Sequence, residues 1–433
     1  MADAHPGRAV RATRRNETAL IGFTVATNLA DGVAKIALPL LAVELTDSPG
    51  LVAGVGLTLT LPWLLASLHA GVLVDRGDRR RLAALANLVR LAVALALLAA
   101  VATDALSLPS LYLAGVLIGL AEVVANSAIG ALVPAAVPRE RLSRANAWIA
   151  GAETVANEFA GPAVGGLLVG VGAALALGAS AGAFALGAVL LALLVGRFRA
   201  APRESGSPQE RAPRRTRAEM AEGLAFLWRH RLLRTMSLTI AVLVVCWSAW
   251  LALLPSYAVR VLHLDPAGYG LLLGSIGVGG LAGAVLTAAA NRLLGVRWVL
   301  FADLVGTVLM MIVPAVFPDA WAVGVAAFAG GMGGTLWTVN SRTLAQLIVP
   351  DRLLGRYGAA SRLLSWGTLP LGAGLAGVFA EVTGLRWAFA IFAALAVVPV
   401  VPFLLTVTES EIAAAQRKSE VDHVILGRIR NNS

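Results

Sequence analysis

Apolar runs of about twenty residues or more recur along this chain from residue 18 to residue 407, each long enough to cross a hydrocarbon core ~30 Å thick as a helix. In lipid a backbone must satisfy its own N–H and C=O groups, so a series of such runs folds as a bundle of helices. The composition agrees: 58% of the 433 residues are hydrophobic and 14% charged, where a soluble domain carries about 25% charged residues. Mean hydropathy is +0.79. The pattern is that of an all-α, polytopic membrane protein.

The formal charge of +10 is a topology signal. Nearly all the arginines fall in alternate loops between runs and in the two tails, which places those loops and both termini in the cytoplasm. No separate basic domain and no set of base-stacking aromatics accompanies them, so nucleic acid is not an expected partner. Cys246, the only cysteine, lies inside an apolar run, which excludes disulfides and cysteine-based metal sites. The first run is too long for a signal-peptide core and is read as a retained span.

Twelve spans are expected, at roughly 18–44, 51–74, 82–102, 108–135, 142–170, 173–196, 233–262, 268–290, 297–316, 320–347, 354–381 and 385–407. Residues 1–17 form a cytoplasmic tail, 18–196 a first six-helix bundle, 197–231 a cytoplasmic linker, 232–407 a second bundle and 408–433 a second tail. Arg197 to Arg217 is rich in Pro and Arg and has no apolar periodicity, whereas Ala218 to His230 reads as an amphipathic helix on the inner surface. The halves echo each other. Val137-Pro138-Arg139-Glu140-Arg141-Leu142 before the fifth span matches Val349-Pro350-Asp351-Arg352-Leu353-Leu354 before the eleventh, and Leu38-Pro39 matches Leu254-Pro255.

Between the second and third spans stands Gly71-Val-Leu-Val-Asp75-Arg76-Gly77-Asp78-Arg79-Arg80-Arg81-Leu82. Glycines permit the reversal and close helix approach, and the arginines hold the loop at the cytoplasmic face. This text resembles the loop between helices 2 and 3 of the major facilitator superfamily, G-x-L-x-D-R-x-G-R-[KR]-x, with Asp78 where the last glycine usually falls. Gly161-Pro162-Ala-Val-Gly165-Gly166 resembles the end of that superfamily's antiporter motif in helix 5, although Trp148 and Asn157 replace its earlier glycines. The first span, Leu29-Ala-Asp31-Gly-Val-Ala-Lys35-Ile-Ala-Leu38-Pro39, resembles the drug:proton antiporter subfamily of macrolide effluxers and the enterobactin exporter. So do Leu142-Ser-Arg-Ala-Asn146-Ala, Tyr269-Gly270-Leu-Leu-Leu-Gly274, Gln346 to Asp351 and Trp366 to Gly372.

The resemblance implies two pseudo-symmetric six-helix bundles, alternating access and a monomer. It also implies gating by Gly71, Asp75, Arg76, Gly77, Arg79 and Arg80, with the Asp75 carboxylate meeting the start of the eleventh helix in the outward-facing state. The arginine that many drug:proton antiporters carry in helix 4 is missing here; Glu122 occupies that region.

The residues themselves point to transport. Asn28, Asp31 and Lys35 share one face of the first span, Gly119, Glu122, Asn126 and Gly130 a stripe of the fourth, and Glu153, Asn157, Gly161 and Gly165 a stripe of the fifth. Charges at mid-membrane are costly and normally face a bundle interior or watery cavity. An Asp31–Lys35 pair that only fixes packing is the alternative. Asp31, Glu122, Glu153 and Glu158 against Lys35 make four acids to one base, so at least one carboxylate is a proton acceptor, Glu122 first, then Asp31 and Glu158. Trp247, Trp250, Trp337 and Asn340 offer an aromatic and soft lining in the second half and, with Asn28 and Asn126, are the expected substrate cavity.

The expected activity is proton-coupled export of hydrophobic or amphipathic small molecules across the cytoplasmic membrane. A carrier for a narrow substrate such as a siderophore, lysolipid or metabolite is the alternative. No cofactor is expected beyond the proton gradient, and no nucleophile–base or metal constellation marks an enzyme.

Overall fold

The computed structural model describes residues 6–196, 198 and 212–414. Among them, twelve helices are long and apolar enough to cross a membrane. The first four are unbroken: α1 (Pro6–Leu45), α2 (Pro49–Arg76), α3 (Arg79–Ala102) and α4 (Leu108–Ala136). The fifth span is composite. It runs through α5 (Arg139–Glu153), a π-helical turn over Thr154–Ala160, and α6 (Gly161–Val171). Pro162 has no N–H to give to the preceding turn, and the wider π turn lies immediately before the helix it opens.

The chain continues through α7 (Ala173–Ala192), α8 (Ala212–Arg229), α9 (Arg231–Arg260), α10 (Pro266–Leu294), α11 (Val296–Val316) and α12 (Ala320–Ile348). The eleventh span is α13 (Asp351–Trp366) and α14 (Leu369–Thr383), interrupted at Gly367-Thr368 ahead of Pro370. The twelfth is α15 (Leu385–Val397) and α16 (Val400–Thr406), interrupted at Val398-Pro399. Both interruptions fall where a proline removes a helical hydrogen bond.

Two compact units emerge: Met1–Arg203 with Leu251–Gly274, and Glu204–Trp250 with Ser275–Ser433. In the first, Leu38, Leu41, Val55, Leu97, Leu111 and Ile118 form one buried apolar cluster. Another gathers Leu20, Phe23, Leu132 and Phe198. In the second unit Leu300, Leu304, Trp337 and Phe403 pack together.

The linker helix α8 packs along α13. Leu227 is fully buried there in one cluster with Leu233, Val349, Leu353 and Tyr357. Gly223 sits on the backbone of α13, where a Cβ would stand 2.4 Å from the Arg356 carbonyl oxygen. Arg356 also makes an ion pair with Glu222.

Candidate functional site

The polar interior of the first unit begins with a pair the sequence reading missed. Arg90 of α3 places Nη1 2.5 Å from Asp31 Oδ2 of α1. Both side chains are buried, 2% and 4% exposed. The guanidinium carbon lies 5.1 Å from the centroid of the Phe184 ring on α7, a cation–π contact. One α3 turn away, buried Asn87 donates to the Phe184 carbonyl oxygen at 2.7 Å. The expected excess of four acids over one base is therefore corrected: Arg90 is a second base, and Asp31 pairs with it rather than with Lys35. Arg90 was legible by the rule that singled out Lys35, since it interrupts an apolar run at mid-span.

Lys35 turns elsewhere. Its Nζ donates to Asn157 Oδ1 at 2.9 Å and lies 3.8 Å from Glu122 Oε1. Asn157 Nδ2 donates onward to Asn28 Oδ1 at 3.2 Å, and Trp63 Nε1 of α2 reaches Glu122 Oε2 at 3.4 Å. Glycine contacts bring these side chains together. A Cβ on Gly32 would stand 2.8 Å from Gly161 Cα, so α1 and α6 touch backbone to backbone and Asn157 comes within reach of Lys35. On Gly119 it would meet the Leu59 carbonyl oxygen at 2.6 Å, which sets α4 against α2 and Glu122 beside Trp63.

Asn28, Asp31, Arg90, Asn126 and Glu153, together with Thr24 and Thr27, line a small polar pocket beside this network. Asp31 Oδ1 and Arg90 Nε and Nη2 are buried there without a hydrogen-bond partner among the described residues. The stripe expected on the fifth span stays together across the π turn: Asn157 bonds to Lys35 and Asn28 of α1, and Glu153 shares the polar lining with Asn28 and Asp31. Gly161 and Gly165 face α1, whereas Gly166 faces α10, where its Cβ would stand 2.2 Å from Gly270 Cα. Pro162 opens α6.

At the loop after α2, Asp78 is the N-cap of α3 and accepts from the Arg81 amide at 3.1 Å. Arg79 Nη1 donates to the Ala131 carbonyl oxygen at 3.0 Å and Arg80 Nη2 to that of Ala192 at 2.9 Å. The second bond satisfies a carbonyl in the last turn of α7, where cations are favoured. Gly71 lies inside α2 and Gly77 is its C-cap. The side chains of Asp75, Arg76 and Glu158 lie outside the described residues.

The residues expected to line a cavity in the second half are placed differently. Trp250 is fully buried and Trp337 nearly so, the latter's ring tilted 45° to that of Phe403 at 6.2 Å between centroids. Asn340 is buried, accepting from Asn291 Nδ2 at 2.8 Å and donating to the Leu336 carbonyl oxygen. Trp247 is half-buried. Trp250, Trp337 and Asn340 fill packed interior. No group of three or more His, Cys, Asp or Glu side chains with metal-ligand spacing is found among the described residues.

A fold of twelve spanning helices with charged side chains paired inside is that of a membrane transporter. The family model of the transmembrane secretion effectors, a branch of the major facilitator superfamily, matches residues 18–426, and the chain belongs to that family. The multidrug efflux pump Tap of Mycolicibacterium fortuitum is 29% identical over 390 residues, 87% of this chain and 92% of that protein. The multidrug efflux pump Tap of Mycobacterium tuberculosis (strain ATCC 25618 / H37Rv) is 30% identical over 393 residues, 88% and 91% respectively. Among solved structures, a bacterial homologue of the iron transporter ferroportin in its inward-facing state superposes with a TM-score of 0.68 at 18% identity. The match covers 90% of this chain and 98% of that one. The nucleoside transporter NupG gives 0.65 at 12% identity, covering 91% and 99%. These structural likenesses show the fold.

Proposed function

We propose that this chain exports hydrophobic or amphipathic small molecules, drugs among them, across the cytoplasmic membrane in exchange for protons, by alternating access. The observation that carries this reading is the loose contact of Glu122 with Lys35, 3.8 Å apart inside the membrane-spanning helices of the first unit. Asp31 is engaged by Arg90 at 2.5 Å, whereas among the described residues Glu122 has the 3.8 Å contact with Lys35 and a 3.4 Å hydrogen bond from Trp63, and the Lys35 side chain is 38% exposed. A buried carboxylate beside a cation that water also reaches can take up a proton while Lys35 passes to the Asn157 amide and to solvent.

The likeness to the efflux pump Tap over most of both chains supports export of drugs as the direction and substrate class. The alternate arginine-rich loops support cytoplasmic termini, and the protein acts as a monomer in this reading. Glu153, beside the pocket with Asp31, and Glu158 are further proton carriers. Asp75 gates the cycle through the start of the eleventh span; Asp75→Asn loses transport while still reaching the membrane.

The test is ethidium efflux from energised cells, with and without a protonophore. Efflux that collapses with the gradient in the wild-type protein and is lost in Glu122→Gln supports the reading. Wild-type efflux indifferent to the protonophore overturns proton coupling, and pH-driven export at wild-type rates in Glu122→Gln removes Glu122 from the mechanism.

A further inference from the structure

The second unit holds a buried carboxylate that the network above does not use. Asp303 lies on α11, seven residues on from Val296, and is 3% exposed. It is seated against the backbone of α12: a Cβ on Gly333 would stand 2.7 Å from Asp303 Cα and 2.9 Å from Oδ1. The same two helices also meet at Gly306, where a Cβ would stand 2.8 Å from the Ala329 carbonyl oxygen. Asp303 therefore occupies a tight, glycine-lined crossing.

Among the described residues no cation compensates it, and no ion pair or hydrogen bond is formed by its carboxylate. None of the described charged groups on the surrounding elements pairs with it. Arg297 on α11 donates to the Leu404 carbonyl oxygen and stacks on Trp298. Arg342 lies nine residues beyond Gly333 on α12, about 13 Å along the axis. Arg386 at the start of α15 donates to the Ala315 and Val316 carbonyl oxygens. At the start of α9, Arg231 is exposed and Arg234 donates to the Trp228 carbonyl oxygen.

The internal repeat shows what group this position accommodates. Ala86-Asn87-Leu-Val-Arg90 of α3 aligns with Ala302-Asp303-Leu-Val-Gly306 of α11. Each helix packs against the last long helix of its half, α3 on α7 and α11 on α15. At Asn87 the group is a neutral amide, fully buried. A carboxylic acid has the amide's shape and is likewise neutral, whereas an ionised, unpaired carboxylate in that place carries a desolvation cost.

We propose that Asp303 is a proton-binding site of the second unit, occupied when α11 and α12 are packed as seen here and emptied when they part. Asp303 is about 10 Å from the start of α11, so a modest separation at Gly333 exposes it to water. Release of the proton leaves an anion that opposes reclosure of the crossing, so proton occupancy and α11–α12 packing favour each other. The site itself stands on the second unit alone. Its part in transport rests on the proton-coupled reading above.

Infrared difference spectroscopy of the purified full-length transporter tests the site with the proton itself as the probe. The wild-type protein is expected to show a protonated-carboxyl band that disappears as pH is raised and is absent in Asp303→Asn. In cells, Asp303→Asn is expected to lose protonophore-sensitive ethidium efflux, with Asp303→Glu restoring it at a shifted pH dependence. The absence of any band difference between wild type and Asp303→Asn overturns the proposal. So does a band that never titrates while the protein stays folded, or wild-type protonophore-sensitive efflux in Asp303→Asn. If Asp303→Asn fails to fold, the wild-type band and its displacement in Asp303→Glu carry the same test. Protonophore-insensitive efflux in the wild type defeats the coupling reading by itself, independently of the spectra.

Discussion

Arg90 Nη1 stands 2.5 Å from Asp31 Oδ2, joining α3 to α1 by a single charged contact in the interior of the first unit. The remaining Arg90 donors Nε and Nη2, and Asp31 Oδ1, have no partner among the described residues. Such a pair contributes little to stability relative to an apolar replacement of both residues, but breaking it on one side leaves an uncompensated charge.

Arg90→Met is therefore expected to destabilise the protein by about 3–5 kcal/mol. Combining it with Asp31→Leu should recover much of the loss without recovering efflux. The thermal midpoint in detergent and ethidium export, measured on the same variants, check this. Full stability in Arg90→Met alone would contradict it.

Gly166 and Gly270 set how closely α6 and α10 approach. A Cβ at Gly166 would stand 2.2 Å from Gly270 Cα, whereas one at Gly170 would stand 3.2 Å from the Ala267 amide nitrogen. Gly166→Val is expected to abolish efflux and Gly170→Ala to reduce it far less, as read by transport rates normalised to membrane abundance. Equal effects would show that the backbone contact is not what matters.

Asp78 departs from the glycine of the superfamily loop, and the structure supplies the reason. It caps α3 through the Arg81 amide, and glycine is itself an acceptable N-cap. Asp78→Ala should cost about 1 kcal/mol and Asp78→Gly only a few tenths. Thermal unfolding of the two variants side by side gives the order.

Gly223 lets α8 lie directly on α13, and a side chain there would collide with the Arg356 carbonyl at 2.4 Å. Gly223→Val is expected to free the linker helix and speed its cleavage by added protease. Arg356→Gln, which removes the Glu222 ion pair and leaves the backbone contact, should have a smaller effect, because exposed pairs contribute about 0–1 kcal/mol.

The spans were legible because length and apolarity are local properties. The expected range 320–347 became Ala320–Ile348, and 297–316 became Val296–Val316. The proline sites were also written in the chain, but not the form of their effect: Pro162 follows a π turn, and Pro399 divides the last span. The amphipathic linker helix was legible as a helix. That α13 covers its buried side was not.

Asn28 and Lys35 could be placed on one helical face from spacing alone, and both meet Asn157 in the structure. Asp31 shares that face, yet its partner is Arg90, 59 residues away. The tryptophans at 250 and 337 were expected around a cavity; both are packed inside. Aromatic residues at helical spacing have the same sequence signature in either place.

The sequence by itself determined that this chain crosses a membrane twelve times and carries ionisable groups within its spans, because hydrophobic length and helical periodicity act within one element. The tertiary structure decided which charge meets which. It set Lys35 near Glu122, gave Asp31 to Arg90, and put Asp303 against Gly333 with no cation beside it among the described residues. Those outcomes depend on how closely two backbones approach, which glycine contacts between distant helices fix.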